Sequence, residues 1–205
     1  MASSPVYTSK HFKFCANARI RVAKVGAAVP TDFKTDYSID WIELGYIDEK
    51  GVIIDDTKTM ADIKSQQEFY PTAKMINERK HTLQFNLQEW TKDSVSLAFG
   101  GGTWATVNGV NQYTPPDPSL VDNRELAMDW IVNGVHWRWV VTNGLVTSNT
   151  QTTLVKSAEA LLPITFEALG SSSMGATKSA DALPWTIFND DSGFATIPGV
   201  PAKAV

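Results

Sequence analysis

Three histidines, one cysteine and a few paired acids are the residues of this 205-residue chain that could carry chemistry. His11, His81 and His136 are scattered, and none has a carboxylate or cysteine at metal-ligand spacing, so no zinc or other metal site is expected. Cys15 with a distant histidine has the ingredients of a thiol nucleophile, but a cysteine in a terminal arm is more often incidental. Gly100-Gly101-Gly102 lacks the lysine of a phosphate loop and follows a helical stretch instead of preceding one, which reads as a helix stop and a loop. Asp55-Asp56 and Asp190-Asp191 point their carboxylates to opposite sides in a strand, so each pair reads as turn chemistry. Asp129, His136 and Arg138 form the best polar cluster, and a cross-strand ion pair accounts for it. No catalytic residue and no cofactor follow from these patterns.

The elements that would position such residues are mostly strands. Residues 82–90 alternate Leu83, Phe85 and Leu87 with polar neighbours, the period of a strand buried on one face. The period then changes. Thr91 can cap a helix, Asp93 sits well in its first turn, and Val95, Ala98 and Phe99 share a face before Gly100. Such a helix is too short to persist alone and must pack on a sheet. Asn133-Gly134 and Asn143-Gly144 each separate β-rich runs, the strongest short hairpin signal, and predict a three-strand meander over 125–132, 135–142 and 145–152. The first turn sets Val132 opposite Val135, Trp130 opposite Trp137, Asp129 opposite Arg138 and Met128 opposite Trp139. Trp130, Trp137 and Trp139 then share a core face with Leu126, Met128, Val141 and Val146, while Asp129, His136 and Arg138 face solvent or another subunit.

The rest of the chain fits an all-β, mainly antiparallel fold, a β-sandwich or partial barrel with one short α-helix near residues 91–99. Residues 18–25 read as a strand with Ile20 and Val22 on one face and Arg19 and Arg21 on the other. Short strands are expected at 41–46 and 52–54, and a long hairpin at 57–67 and 72–90 turns around Glu68-Phe69-Tyr70-Pro71. Much of that hairpin is polar on both faces, which needs another surface to cover it. Residues 103–122 read as a loop with turns, 154–160 and 164–169 as a further strand pair, 171–178 as a linker and 185–188 as a last strand. One domain over 1–205 is expected, with an N-terminal arm (about 1–16), a long loop (about 26–38) and an extended C-terminal tail (about 192–205).

Composition sets the outer limits. A net charge of −4 argues against a protein that grips nucleic acid through many phosphates. No apolar run approaches the roughly 20 residues of a membrane helix, and no apolar segment of a secretion signal follows the N-terminus, so a soluble chain is expected. One cysteine permits no intrachain disulfide, which suits a reducing cytoplasm.

The succession Leu44-Gly45-Tyr46-Ile47-Asp48-Glu49-Lys50-Gly51-Val52, then Ile63-Lys64-Ser65-Gln66-Gln67, then Leu83-Gln84-Phe85-Asn86-Leu87-Gln88-Glu89-Trp90 with its short helix resembles the major tail tube proteins of long non-contractile-tailed bacteriophages. The resemblance spans about 40–102, with weaker echoes at 18–26 and 184–191, and departs at Gln66, where the family pattern has an aromatic residue. It implies a structural virion protein, assembled in the host cytoplasm, whose hexameric rings stack into a hollow tail through which DNA passes without specific binding. It also implies a tape-measure protein inside the tube and terminator and tail-tip proteins at its ends. By the same resemblance, a hairpin carrying Thr57, Thr59, Asp62, Lys64, Gln66, Lys74, Asn77 and Arg79 lines the lumen and joins subunits, and the loop with Thr31, Asp32, Lys34 and Asp36 joins rings. Two alternatives stand beside it. One is the tube of a contractile tail or of a type VI secretion system; the other is a carbohydrate-binding β-sandwich, in which Trp104, placed in a loop, would be the exposed stacking surface.

Overall fold

The computed structural model describes residues 16–148, 150–170 and 184–190. Cys15, nearly all of the expected arm, the linker at 171–178 and the tail at 192–205 lie outside the described residues.

Period-two alternation builds most of the molecule. β1 (Ala16–Lys24) buries Ile20 and Val22 as expected. Only two residues of the expected strand at 41–46 enter a ladder, as β2 (Ile42–Glu43) beside Arg21 and Val22. Gly45, at a φ of 88°, turns the chain away there. β3 (Ile53–Ile63) fuses the two strands expected at 52–54 and 57–67. Asp55-Asp56 is therefore not a turn: both residues sit in the ladder, opposite Thr82 and His81. β4 (Ala73–Leu87) completes the long hairpin and buries Leu83, Phe85 and Leu87.

The helix α1 (Lys92–Ala98) starts as read, Thr91 accepting from the Ser94 amide while the Ser94 hydroxyl accepts from the Thr91 amide. It ends one residue earlier than its apolar pattern suggested. Leu97 is buried with Val95 and Ala98, whereas Phe99, expected in the core, is the C-cap and remains 47% exposed. A side chain on a cap leaves the helical face, and Phe99 tilts against Tyr113 instead.

Residues 103–122 are not all loop. β5 (Thr103–Val107) and β6 (Val110–Thr114) pair around Asn108-Gly109, whose φ angles of 51° and 79° are those a tight hairpin turn demands. β7 (Arg124–Val132) and β8 (Val135–Val146) turn at Asn133-Gly134 in the same way, with the register read from the sequence at all four pairs. The second Asn-Gly behaves differently. β8 runs straight through Asn143-Gly144, so the third meander strand does not form. Leu145 and Val146 pair instead with Glu167 and Phe166 of β9 (Leu162–Ala168). Of the strand expected at 154–160, only an isolated bridge between Val155 and Ala158 is present. β10 (Trp185–Asn189) runs antiparallel to β8.

The strands follow the order β2-β1-β7-β8-β9-β4-β3, with β10 also on β8, and β5-β6 stands as a separate pair. This is the expected mainly antiparallel all-β architecture with one short helix. The main sheet closes on a core of Ile20, Leu83, Leu126, Met128, Val141 and Phe166, against which α1 packs Val95, Leu97 and Ala98. Trp137 is buried, and Trp130 and Trp139 pack half-buried on the core. A second cluster of Ala23, Trp41, Ala127 and Val140 lies on the reverse face of β1, β7 and β8.

Gly144 explains why the sequence there is not a turn. A methyl group at this position would press on the Phe166 ring and the Glu167 carbonyl, whereas Gly134 has open space. Gly144→Ala should therefore destabilise by about 1–3 kcal/mol through overpacking, and Gly134→Ala by about 1 kcal/mol through its positive φ. Thermal midpoints of the two variants, compared with the parent, check the order.

Candidate assembly surface

The expected lumen and subunit-contact residues lie on the outer part of the β3–β4 hairpin. β4 pairs with β9 only from His81 to Leu87, so residues 73–80 have β3 on one side and no described strand on the other. β3 is itself the edge of the sheet. The result is a two-stranded arm extending roughly 25 Å beyond the core, at about 3.3 Å per residue. All of residues 53–60 and 71–80 are exposed.

Register assigns the faces. Lys58 and Arg79 are partners on the face that continues the core side of β4, and Asp62 with Lys74 lie on the same side beyond a bulge. Thr57 and Thr59 lie on the opposite face, beside Lys80 and Glu78. The expected set is therefore split between two faces. Asn77 is the extra residue of the bulge, left without a partner when Thr59 pairs Glu78 and Met60 pairs Ile76. Lys64 and Gln66 belong to the turn beyond β3.

Charges on the arm pair with one another. Arg79 donates to both oxygens of Asp56, at 2.9 and 2.8 Å, holding that carboxyl below its usual range. Lys74 sits 3.3 Å from Asp62, and Lys80 lies 2.7 Å from Glu167, which raises the lysine. At the root of the arm His81 is 4% exposed and stacks on Trp139 and Trp185, with centroids 5.2 and 4.8 Å away. This stack joins β4, β8 and β10, and sequence reading missed it because the three residues are far apart along the chain.

The loop at 26–38 folds back on its own sheet. Asp129 accepts from Arg138 Nε at 2.8 Å, from Arg21 at 2.7 Å and from the Tyr37 hydroxyl at 2.9 Å. Arg138 also donates to the carbonyls of Asp32 and Thr35, and its guanidinium lies 4.3 Å above the Tyr37 ring. Burial, reinforced by the Asp129 charge, drives the Tyr37 phenol upward. Arg138 is thus buried, and Asp129 partly so, beneath a loop of their own chain, where an open face was expected. His136, half-exposed, stacks under Phe33 and pairs with Asp190 at 3.1 Å. Of the expected ring-contact residues, Thr31, Lys34 and Asp36 are exposed on the outside of the loop. Asp32 is turned partly inward, its carboxylate accepting from the amides of Lys34 and Thr35, which lowers its pKa. Arg21 and Tyr37 were the missed members, and two arginines on one face of β1 were the available signal.

Trp104 is also corrected. It lies on β5, half-buried, with its Nε1 donating to the Lys92 carbonyl and the Ser96 hydroxyl at 3.0 Å each. An indole committed to α1 is a poor stacking surface for sugar.

Two variants test this construction. Asp129→Ala leaves Arg138 in a buried site without its carboxylate and should destabilise by about 3–5 kcal/mol, read from urea midpoints, with Asp129→Asn milder. Burial pushes the His81 imidazole below its ordinary value, against an opposing pull from Asp56. The unfolded chain therefore takes up this proton first on acidification, below about pH 6.5. Stability from neutral His81 is fully present above that pH and is lost as pH falls toward the lower folded value. Relative to His81→Phe, the parent should lose stability steadily between about pH 7 and about pH 5, measured by urea midpoints across that range.

The family model for phage tail tube proteins matches residues 9–191, a stretch that contains the ten described strands and the described helix. A comparison with curated proteins finds no match. A match over most of the chain agrees with an all-β domain whose arm is open-edged among the described residues. The chain belongs to the phage tail tube protein family, structural components of the virion whose copies assemble into a tube.

Proposed function

We propose that this protein is the tail tube subunit of a long, non-contractile-tailed phage, acting as one domain that forms hexameric rings stacked into a hollow conduit for DNA. The observation that carries the proposal is the β3–β4 arm, exposed on both faces and, among the described residues, open at both edges beyond His81, in a chain of the tail tube family. Unpaired strand edges are templates for another strand, and a closed ring of identical copies satisfies every edge. Head-to-tail contacts whose rotation closes give a ring, and repetition along the axis gives the tube.

In this reading the arms of neighbouring subunits form the wall of the bore. From Asp55 to Lys80 the five acids Asp55, Asp56, Asp62, Glu68 and Glu78 balance the five bases Lys58, Lys64, Lys74, Arg79 and Lys80. A wall of zero net charge neither grips nor repels the DNA phosphates, which suits transport without specific binding. The exposed loop residues Thr31, Lys34 and Asp36 contact the adjacent ring. A tape-measure protein inside the growing tube and terminator and tip proteins at its ends complete the assembly, which takes place in the host cytoplasm.

Negative-stain electron microscopy of the purified protein across a concentration series should show rings or hollow tubes of uniform width. Ile63→Pro removes a ladder amide near the end of β3. The variant should keep the circular dichroism of the folded domain and form no tubes; normal tubes from it would take β3 out of the wall.

A further inference from the structure

Asparagine is followed by glycine at Asn108-Gly109, Asn133-Gly134 and Asn143-Gly144. Such a step can lose its side-chain amide without an enzyme. The glycine backbone nitrogen attacks the asparagine Cγ, a C–N bond forms, ammonia leaves, and a five-membered succinimide remains. Water then opens either carbonyl of the ring, giving aspartate or isoaspartate, in which the main chain runs through the former side chain. Glycine favours the attack because no side chain shields its nitrogen. Ring closure requires the asparagine backbone to rotate out of either a left-handed turn or an extended strand. In a folded protein the rate therefore follows how often each step opens.

The fold places the three steps in three environments. Asn143 and Gly144 are buried inside β8, with Gly144 opposite Ala168 and the Leu169 amide donating to the Asn143 carbonyl at 2.8 Å. Asn133-Gly134 is an exposed turn, but its strands are clamped close by. Val132 is buried, the Trp130 and Trp137 rings stack 5.7 Å apart, and β1 pairs Ile131 on one side while β10 pairs Trp137 on the other.

Asn108-Gly109 has the same turn geometry and much weaker support. The β5–β6 pair has no third strand among the described residues. Its anchors lie at the end away from the turn, where Trp104 donates to α1 and the Tyr113 hydroxyl donates to the Gly101 carbonyl at 2.7 Å. From Ala105 to Gln112 every residue is exposed, and a hydrogen bond from the Thr106 hydroxyl to Asn111 ties the strands at 2.9 Å. Opening this tip uncovers no buried side chain, so it costs little.

We propose that Asn108 is a site of spontaneous deamidation in the folded subunit, with water as the co-reactant, converting ahead of Asn133 and far ahead of Asn143. The product carries a carboxylate at the tip of a hairpin within residues 94–116, a stretch that holds no Asp, Glu, Lys or Arg. Isoaspartate also adds a backbone carbon to a two-residue turn and disturbs the pairing of Val107 with Val110. The site belongs to one folded chain and does not depend on the tube reading.

The full-length protein is held in warm, mildly alkaline buffer, folded or unfolded in urea, and its peptides are followed by mass spectrometry. Isoaspartate is counted separately by methyl transfer from S-adenosylmethionine with an isoaspartyl methyltransferase. In the folded protein, conversion at Asn108 should lead Asn133 by about tenfold or more and Asn143 by about a hundredfold or more. In urea the three rates should fall within about threefold of one another, since each step then reacts as an open chain. Asn108→Gly keeps a turn sequence that suits the hairpin and should remove most of the methyl label. A lead of Asn108 in the folded protein no larger than in urea overturns the proposal, and so does an undiminished label in Asn108→Gly.

Discussion

The hydrogen-bonding capacity of β8 is the constraint on which the rest of the structure depends. Its first edge is filled by β7, and its second edge takes β10 along Trp137–Val141 and then β9 along Gly144–Val146. Two strands can follow one another on that edge only because β8 does not turn at Asn143-Gly144. Where a hairpin would have ended the strand, the backbone stays extended and presses its bare Cα against Phe166. β9 is thereby attached to the sheet, and β9 in turn carries β4 and the arm. The position of the arm thus traces back to one glycine chosen for the absence of a side chain and not for a left-handed backbone.

The two halves of the sheet answer differently to the need for cover. On the reverse side of β1, β7 and β8, Trp41, Tyr37 and Phe188 pack over Ala23, Ala127 and Val140, and the Asp129 cluster ties the loop down beside them. There the cover comes from the same chain. Beyond His81 the arm has neither a covering loop nor a further strand among the described residues. On the proposed reading stability and assembly fall to separate regions, with His81 and its two indoles at the boundary. A substitution in the loop cluster should act first on folding, whereas one on the arm should, if the proposed assembly holds, act on the contact between copies.

What could be read in the sequence was whatever local chemistry decides. Alternation found Leu83, Phe85 and Leu87, the Thr91 cap found α1, and Asn133-Gly134 found the β7–β8 register, since each signal acts within a few residues. Asn143-Gly144 misled because a turn propensity of this kind is weaker than a tertiary ladder that needs the same residues extended. Asn108-Gly109 carried the same hairpin signal and did form a hairpin, but the surrounding prolines suggested loop. Phe99 was misplaced by one residue at a helix end, where periodicity is least informative. The candidate surface was legible in outline through the polar hairpin, and not in its faces: one extra residue at Asn77 shifts the alternation of β4 and reassigns everything distal to it. Arg21, Tyr37 and Asp129 meet only through the sheet order, which no local pattern encodes.

The internal pairing of charge on the arm has a consequence for the conditions a particle can meet. Asp56 is held by Arg79, Asp62 by Lys74, and Lys80 by Glu167, all within one chain. Dissolved salt weakens attraction or repulsion between separated charges over a Debye length of about 8 Å at physiological ionic strength and about 30 Å in dilute water. Surfaces that are already neutral at this scale have little for salt to screen. Copies joined through such arms would hold together with nearly the same strength inside a concentrated cell and in fresh water outside it, a robustness that comes from where the charges find their partners and not from how many there are.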